Sequence, residues 1–164
     1  MEKLSFLNHY RKSIEFVSNK ELLNNENIPE KWLEIFKETD KIKKKDKLIA
    51  LWNSVCEKEL SKTISYLQEN LLEFELIIDN GQYAVLYSVQ SENEEILYYE
   101  GGIPTNPFFI PEMREAWSKL PGSIKKFYEK LHNGFYYLPS KAMGLVQWNT
   151  LLILRIMNGE YLKI

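Results

Sequence analysis

The sequence predicts an α+β fold in which a helical N-terminal part packs on a mostly antiparallel sheet. Up to about Leu72, apolar residues recur every three or four positions, which is the spacing of one helix face. From Phe74 onward they alternate with a period of two around Asn80-Gly81, a tight-turn dipeptide. The 164 residues, 45% of them hydrophobic, suffice for one core but are too few for two ordinary domains. We therefore expect a single domain over 1–164, helical over 1–72 and built of sheet and helix over 73–164.

The N-terminal part contains three predicted helical segments. One face of the first would carry Leu4, Leu7, Tyr10, Ile14 and Val17. Pro29 marks the start of the second, ahead of Trp32, Ile35 and Phe36. The third follows the lysine-rich stretch 41–47 and continues to Leu67, and its pattern leaves open one long helix or two helices joined by a kink.

The second part begins with a predicted three-stranded antiparallel meander at 74–78, 83–89 and 96–99, with a polar turn at 91–94. One sheet face would hold a helix layer, and the other could be exposed to solvent. A glycine- and proline-rich loop is predicted at 101–107. Short helices follow at 112–119 and 123–132, and Phe127 and Leu131 of the second should pack against the sheet. Gly134 would end that helix in a left-handed conformation, and 148–156 has the composition of a further strand.

Residues suited to catalysis are few and scattered. Neither His9 nor His132 has a neighbouring nucleophile and carboxylate at triad spacing, and His132 fits a helix C-terminal cap. Cys56, the single cysteine, falls in a helical apolar pattern typical of a core thiol. Zinc, calcium and phosphate-loop motifs are also missing from the sequence. We therefore expect a protein that binds a partner and is not an enzyme, with no catalytic residues, metal site or cofactor.

The cysteine content and the net charge of the sequence indicate the compartment of the protein and the class of its partner. A single thiol suits a reducing environment, and neither a signal peptide nor a membrane-spanning run is evident, so we expect a cytoplasmic protein without membrane contact. The net charge of -2 gives no overall attraction for nucleic acid. The candidate partner-binding residues are carboxylates and tyrosines around the third strand: Glu92, Glu94, Glu95, Tyr98, Tyr99 and Glu100. Such a patch suits a basic protein better than a polyanion, although a half-buried sheet with a solvated turn explains it equally well.

A longer motif resembles a known family. Trp117 to Tyr128 contains leucine-proline followed by a short helix with aromatic residues, and Leu131-His132-Asn133-Gly134 ends it. These residues resemble the SUKH superfamily, and Phe135 to Ser140 with Met143-Gly144-Leu145 resembles a bacterial branch related to the yeast cell-wall-regulator family. The resemblance covers about 108–145. It implies an immunity protein (antitoxin) that neutralises a cognate toxin by direct binding. The partner that the resemblance implies is the C-terminal domain of a polymorphic or LXG-type toxin, and we expect that toxin to be a nuclease. The alternative is a non-catalytic regulatory or scaffold module that binds a host protein.

Overall fold

The computed structural model describes residues 3–11, 13–18, 26–106, 111, 114–141 and 143–148. The helices are α1 (Lys3–Tyr10), α2 (Glu30–Phe36), α3 (Lys41–Asn70), α4 (Arg114–Lys119) and α5 (Gly122–Lys126), and α5 continues into a π-helical turn at Phe127–Leu131. The strands are β1 (Ile14–Phe16), β2 (Leu71–Asp79), β3 (Gln82–Gln90), β4 (Ile96–Gly102), β5 (Phe135–Tyr137) and β6 (Gly144–Leu145). The predicted α+β fold, with a helical N-terminal part and an antiparallel sheet, is confirmed.

The sheet has six strands in the order of the sequence, each antiparallel to the next. Its centre is the predicted meander of β2, β3 and β4. Asn80 and Gly81 both have positive φ, 49° and 77°, so the two-residue hairpin matches the right-handed twist of its strands. Asp79 consequently pairs with Gln82, and alternate residues of all three strands face opposite sides.

The main core lies between one face of this sheet and the helices. Trp52 of α3 is fully buried and makes edge contacts with the rings of Tyr87 on β3 and Phe135 on β5. Phe127 and Leu131 are also fully buried, which confirms their predicted burial. Phe127 lies 5.8 Å, ring to ring, from Trp52, so the π-helical turn packs beneath α3.

A smaller core covers the opposite face. Leu7 of α1 and Ile14 of β1 pack there with Ile77, Leu86 and other apolar residues, Ala84, Tyr98 and Leu138. Arg11, just after α1, fixes this corner: its Nε lies 3.2 Å from Asp79 and its Nη2 donates to the Leu138 carbonyl at 3.2 Å. This sheet face is therefore covered where α1 lies on it, whereas from the sequence we expected that it could be exposed to solvent.

The structure corrects one expectation about the N-terminal part and decides between two alternatives that the sequence left open. The predicted single helix from Leu4 to Val17 is wrong, because α1 ends at Tyr10 and Ile14–Phe16 form an edge strand. Ile14 pairs with Asp79 of β2, so the backbone hydrogen bonds of this segment go to a distant strand. The spacing of apolar residues within the segment carries no information about that partner. The third segment is α3, which Asp40 caps by accepting hydrogen bonds from the backbone of Ile42 and Lys43. Backbone angles at Cys56 and Leu60 are non-helical, so of the two alternatives the structure has two helical stretches joined by a kink.

The predicted loop at 101–107 is partly wrong, since β4 continues through Gly101 and Gly102. A Cβ on Gly101 would lie 2.5 Å from the ring of His132, and one on Gly102 would lie 2.6 Å from the Asn133 carbonyl. Both glycines therefore let the chain after the π-helical turn lie directly against the strand. Gly134 has φ of 84°, which confirms the predicted left-handed turn. The strand predicted at 148–156 lies outside the described residues, apart from Trp148.

Candidate partner-binding surface

The turn between β3 and β4 presents three carboxylates. Glu92, Glu94 and Glu95 are all exposed. The turn is held by local hydrogen bonds, from Ser91 N to the Glu95 carbonyl at 2.8 Å and from Glu95 N to Ser91 Oγ at 3.0 Å. Glu94 adopts a left-handed conformation with φ of 62°. We name this segment, 91–95, the acidic turn.

The remaining predicted contact residues do not share one surface. Tyr98 is 7% exposed and lies against Phe6 of α1, with 5.0 Å between ring centroids. Glu100 is 4% exposed and its Oε1 accepts a 2.7 Å hydrogen bond from Tyr136. Both candidate residues lie on the sheet face away from α3 and are covered, so of Tyr98 and Tyr99 it is Tyr99 that points outward. Tyr99, one position between them, faces the other side and is half-buried.

Tyr99 lies in an open groove of about 310 Å³ between α3 and the β4–β5–β6 edge. Its ring stacks on Phe135 with 5.4 Å between centroids, and Tyr137 lies 5.7 Å away. Tyr66 of α3 and Met143, which is 74% exposed, line the same groove. Burial, and next the neighbouring hydroxyls of Tyr66 and Tyr137, raise the pKa of Tyr99. We name this feature the tyrosine groove.

Tyr66 connects the two features. Its hydroxyl donates a 3.0 Å hydrogen bond to the carbonyl of Gln90, the last residue before the acidic turn. Exposed carboxylates and a largely apolar groove thus meet at one edge of the molecule, with Lys62 as the charged residue of the groove wall. Rigid aromatic walls provide contact area at low cost in conformational entropy, and exposed carboxylates provide long-range attraction for cations.

Sequence reasoning did not identify Tyr66 and Met143 as parts of this surface. Tyr66 precedes the buried Leu67 in α3, and Met143 lies in the motif that carries the family resemblance. The sequence signal that could have identified Met143 is a methionine directly before a glycine in a short loop. In the structure this residue has a φ of 57° and exposes its large apolar side chain to solvent.

The histidines and the cysteine occupy ordinary structural positions. His132 is fully buried, and its Nε2 lies 2.6 Å from the hydroxyl of Tyr87, which also accepts a 3.2 Å hydrogen bond from Trp52 Nε1. His132 occupies the predicted C-cap position after the π-helical turn, where its backbone N–H donates to the Phe127 carbonyl at 2.9 Å. Its side chain is buried in the core, however, and does not act as a charged group facing the helix end. Cys56 is buried as predicted, and burial raises its thiol pKa to about 12. His9 lies exposed on α1.

Within the described part of the chain, no three or more histidine, cysteine, aspartate or glutamate side chains are grouped as metal ligands. In the same ranges, no helix has the length and apolar character needed to span a bilayer. Comparisons of this chain with models of protein families, with curated proteins and with solved structures gave no match.

Proposed function

We propose that this protein is an immunity protein that neutralises a cognate toxin by binding it directly. The observation that carries the proposal is the continuity of the acidic turn with the tyrosine groove, joined by the hydrogen bond from Tyr66 to Gln90. The resemblance of Trp117 to Leu145 to the SUKH superfamily supports the same function. The proposed partner is the C-terminal domain of a polymorphic or LXG-type toxin, and the proposed site of action is the cytoplasm.

A nuclease is the toxin class that this surface would match best. A nuclease must hold a polyanion, so the cleft that binds its substrate is basic. Glu92, Glu94 and Glu95 would attract that cleft and pair with its lysines and arginines. Tyr99 and Met143 would then contact apolar groups next to the cleft, and the bound protein would keep substrate out. In this mechanism the protein acts by occlusion and performs no catalysis.

The two features should affect different kinetic constants. Exposed carboxylates act on the approach of the partner, and thus mainly on the association rate constant and its salt dependence. Groove contacts form only in the complex, and thus act mainly on the dissociation rate constant. Replacing Glu92, Glu94 and Glu95 together by lysine should lower the association rate constant about tenfold or more at low salt. Replacing Met143 by glutamate should chiefly raise the dissociation rate constant.

The first step of the test is to sequence the genes next to this one, and a large protein encoded there with a separate C-terminal domain would supply that domain as the partner. Binding would be measured by surface plasmon resonance at two salt concentrations, together with protection of cells that co-express both chains. A matched control replaces Glu15, Glu30 and Glu57 by lysine, since these exposed carboxylates lie on β1, α2 and α3 and give the same change in net charge. The control should associate faster than the acidic-turn variant.

Failure of the two chains to bind, or of this protein to protect cells from the toxin domain, would refute the proposed function. Equal association rates for the acidic-turn variant and its control would refute this surface as the contact while leaving immunity itself in place. A host protein captured in place of the toxin domain would favour the regulatory or scaffold alternative.

A further inference from the structure

A second concave site lies at the opposite end of β3 and β4 from the acidic turn. It is a cavity of about 240 Å³ beside the β2–β3 hairpin, and its wall is mainly polar. Asp79, Glu100 and Tyr136 contribute to this wall, with the side chains of Asn133 and Gln147 near β5 and β6. We name it the hairpin cavity. It shares no lining residue with the tyrosine groove.

Two carboxylates of this cavity, the buried Glu100 and the partly buried Asp79, share one buried cation. Arg11 approaches from the α1 side, with its Nε 3.2 Å from Asp79 Oδ2 and its Nη2 3.6 Å from Glu100 Oε2. The Nη2 group donates to the Leu138 carbonyl at 3.2 Å, so its contact with Glu100 is an ion pair beyond hydrogen-bond range. With both carboxylates ionised, these three side chains together carry one net negative charge.

Glu100 is the least satisfied member of the network. Its Oε1 accepts the hydroxyl of Tyr136 at 2.7 Å, and Gln147 Nε2 donates to that same hydroxyl at 3.2 Å. Its Oε2 is buried without a hydrogen-bond donor among the described residues. Burial raises the pKa of Glu100, and the Tyr136 hydrogen bond and Arg11 oppose that rise. A buried carboxylate oxygen without a donor is costly unless a bound group completes it.

We propose that the hairpin cavity binds the guanidinium or ammonium group of a small cationic ligand or side chain, with Glu100 and Asp79 as its acceptors. A cation restores the charge balance of two carboxylates and one arginine. Its N–H groups also supply the donors that buried carboxylates require. A planar guanidinium suits the cavity better than an ammonium group, because it can donate to two acceptors at once from a fixed fork.

Lys141 sets the polarity of the entrance. It is exposed and lines the cavity, and its charge slightly opposes the raised pKa of Glu100. The cavity therefore combines two carboxylates with an exposed lysine, and the positive charge of this lysine opposes the approach of a cation. Replacing Lys141 by glutamate should tighten cation binding without disturbing the buried network, since this side chain is in solvent.

The probes are n-butylguanidinium, n-butylammonium and the neutral isostere n-butylurea, titrated into the intact protein and followed by NMR chemical shifts. We expect saturable shifts at residues around Glu100 with butylguanidinium, and affinity at least about tenfold lower for butylurea. Glu100→Gln should lower the butylguanidinium affinity about tenfold or more, since it removes the charge and retains an acceptor for Tyr136. Glu57→Gln, which changes an exposed carboxylate on α3 that lines neither the hairpin cavity nor the tyrosine groove, should leave that affinity unchanged.

Lys141→Glu provides a test that does not depend on a buried substitution, because its expected effect is a gain in affinity. A tripeptide Gly-Arg-Gly distinguishes the sources of the cation. Tighter binding than butylguanidinium would identify a protein side chain, and weaker binding a free small molecule. Equal binding of butylurea and butylguanidinium, or unchanged affinity in both Glu100→Gln and Lys141→Glu, would overturn the proposal. This inference does not depend on the toxin, so its failure would leave the proposed function intact.

Discussion

Acid should destabilise this protein through His132 more steeply than ordinary surface groups would predict. Its imidazole is fully buried between Trp52, Tyr87 and Phe135, and burial lowers its pKa from 6.5 to about 3, with the backbone of Gly102 opposing slightly. The Tyr87 hydroxyl accepts a hydrogen bond from Trp52 and can therefore donate its own proton to His132 Nε2. Protonation of that nitrogen removes the acceptor and places a charge in an apolar core.

The direction of the stability change with pH follows from which state, folded or unfolded, binds more protons. In the unfolded chain His132 takes up a proton near pH 6.5, whereas the folded protein resists it down to about pH 3. The unfolded state thus binds more protons in this window, so stability is complete above pH 6.5 and falls as the pH is lowered toward 3. Each pH unit in this window costs about 1.4 kcal/mol, so this residue lowers the free energy of unfolding by about 2–3 kcal/mol at pH 4.5. Such a loss is a large part of the ~5–15 kcal/mol stability of an ordinary domain.

His132→Gln is the matched variant, because the glutamine carbonyl can accept the Tyr87 hydroxyl but does not titrate. Urea denaturation at pH 7.0 and 4.5 would give the free energy of unfolding of both proteins. The wild-type protein should lose about 2–3 kcal/mol more than the variant over this interval, and the comparison also cancels the contribution of the carboxylates. Parallel losses in the two proteins would refute the assignment of a neutral, buried His132.

Three further substitutions test the packing by chemical denaturation at pH 7. Phe127→Ala should lower the free energy of unfolding by about 3–5 kcal/mol, and a loss below about 1 kcal/mol would remove this residue from the core. Gly101→Ala should lower the free energy of unfolding much less in a His132→Ala background, because the added Cβ meets the His132 imidazole. We expect a coupling energy of about 1–3 kcal/mol between the two substitutions, and additive losses would contradict the clash. Arg11→Met should cost about 3–5 kcal/mol by leaving the buried Glu100 and its neighbour Asp79 without their cation, and a neutral result would show that these ion pairs add no net stability.

The sequence predicted the features that local chemistry determines. The β2–β3 hairpin follows from Asn80-Gly81 between two alternating segments, and the turn after the π-helical segment follows from Gly134. β1 could not be predicted in this way, because Ile14 and Val17 have helical spacing and the strand exists only through its pairing with β2. The position of Gly101 in β4 likewise depends on His132, 31 positions further along the chain.

The candidate surface was predicted in part for the same reason. The exposure of Glu92, Glu94 and Glu95 follows from a polar turn, which is local. The burial of Tyr98 and Glu100 depends on α1 and Arg11 covering their face of the sheet, which no period-two pattern reveals. The tyrosine groove needs Tyr66 and Tyr99, which are distant in sequence and meet only when α3 packs on β4.

The two ends of β3 and β4 thus hold carboxylates under opposite physical conditions. Those of the acidic turn are exposed and hydrated, so they contribute little to stability and can attract a partner from a distance. Glu100 at the other end is buried and incompletely bonded, so a cation bound there gains short-range energy and exerts little steering. Added salt should accordingly slow association at the acidic turn far more than it weakens a cation held in the hairpin cavity, because buried pairs are screened less than exposed ones. The two sites can therefore be separated by salt alone, even if a single partner were to occupy both.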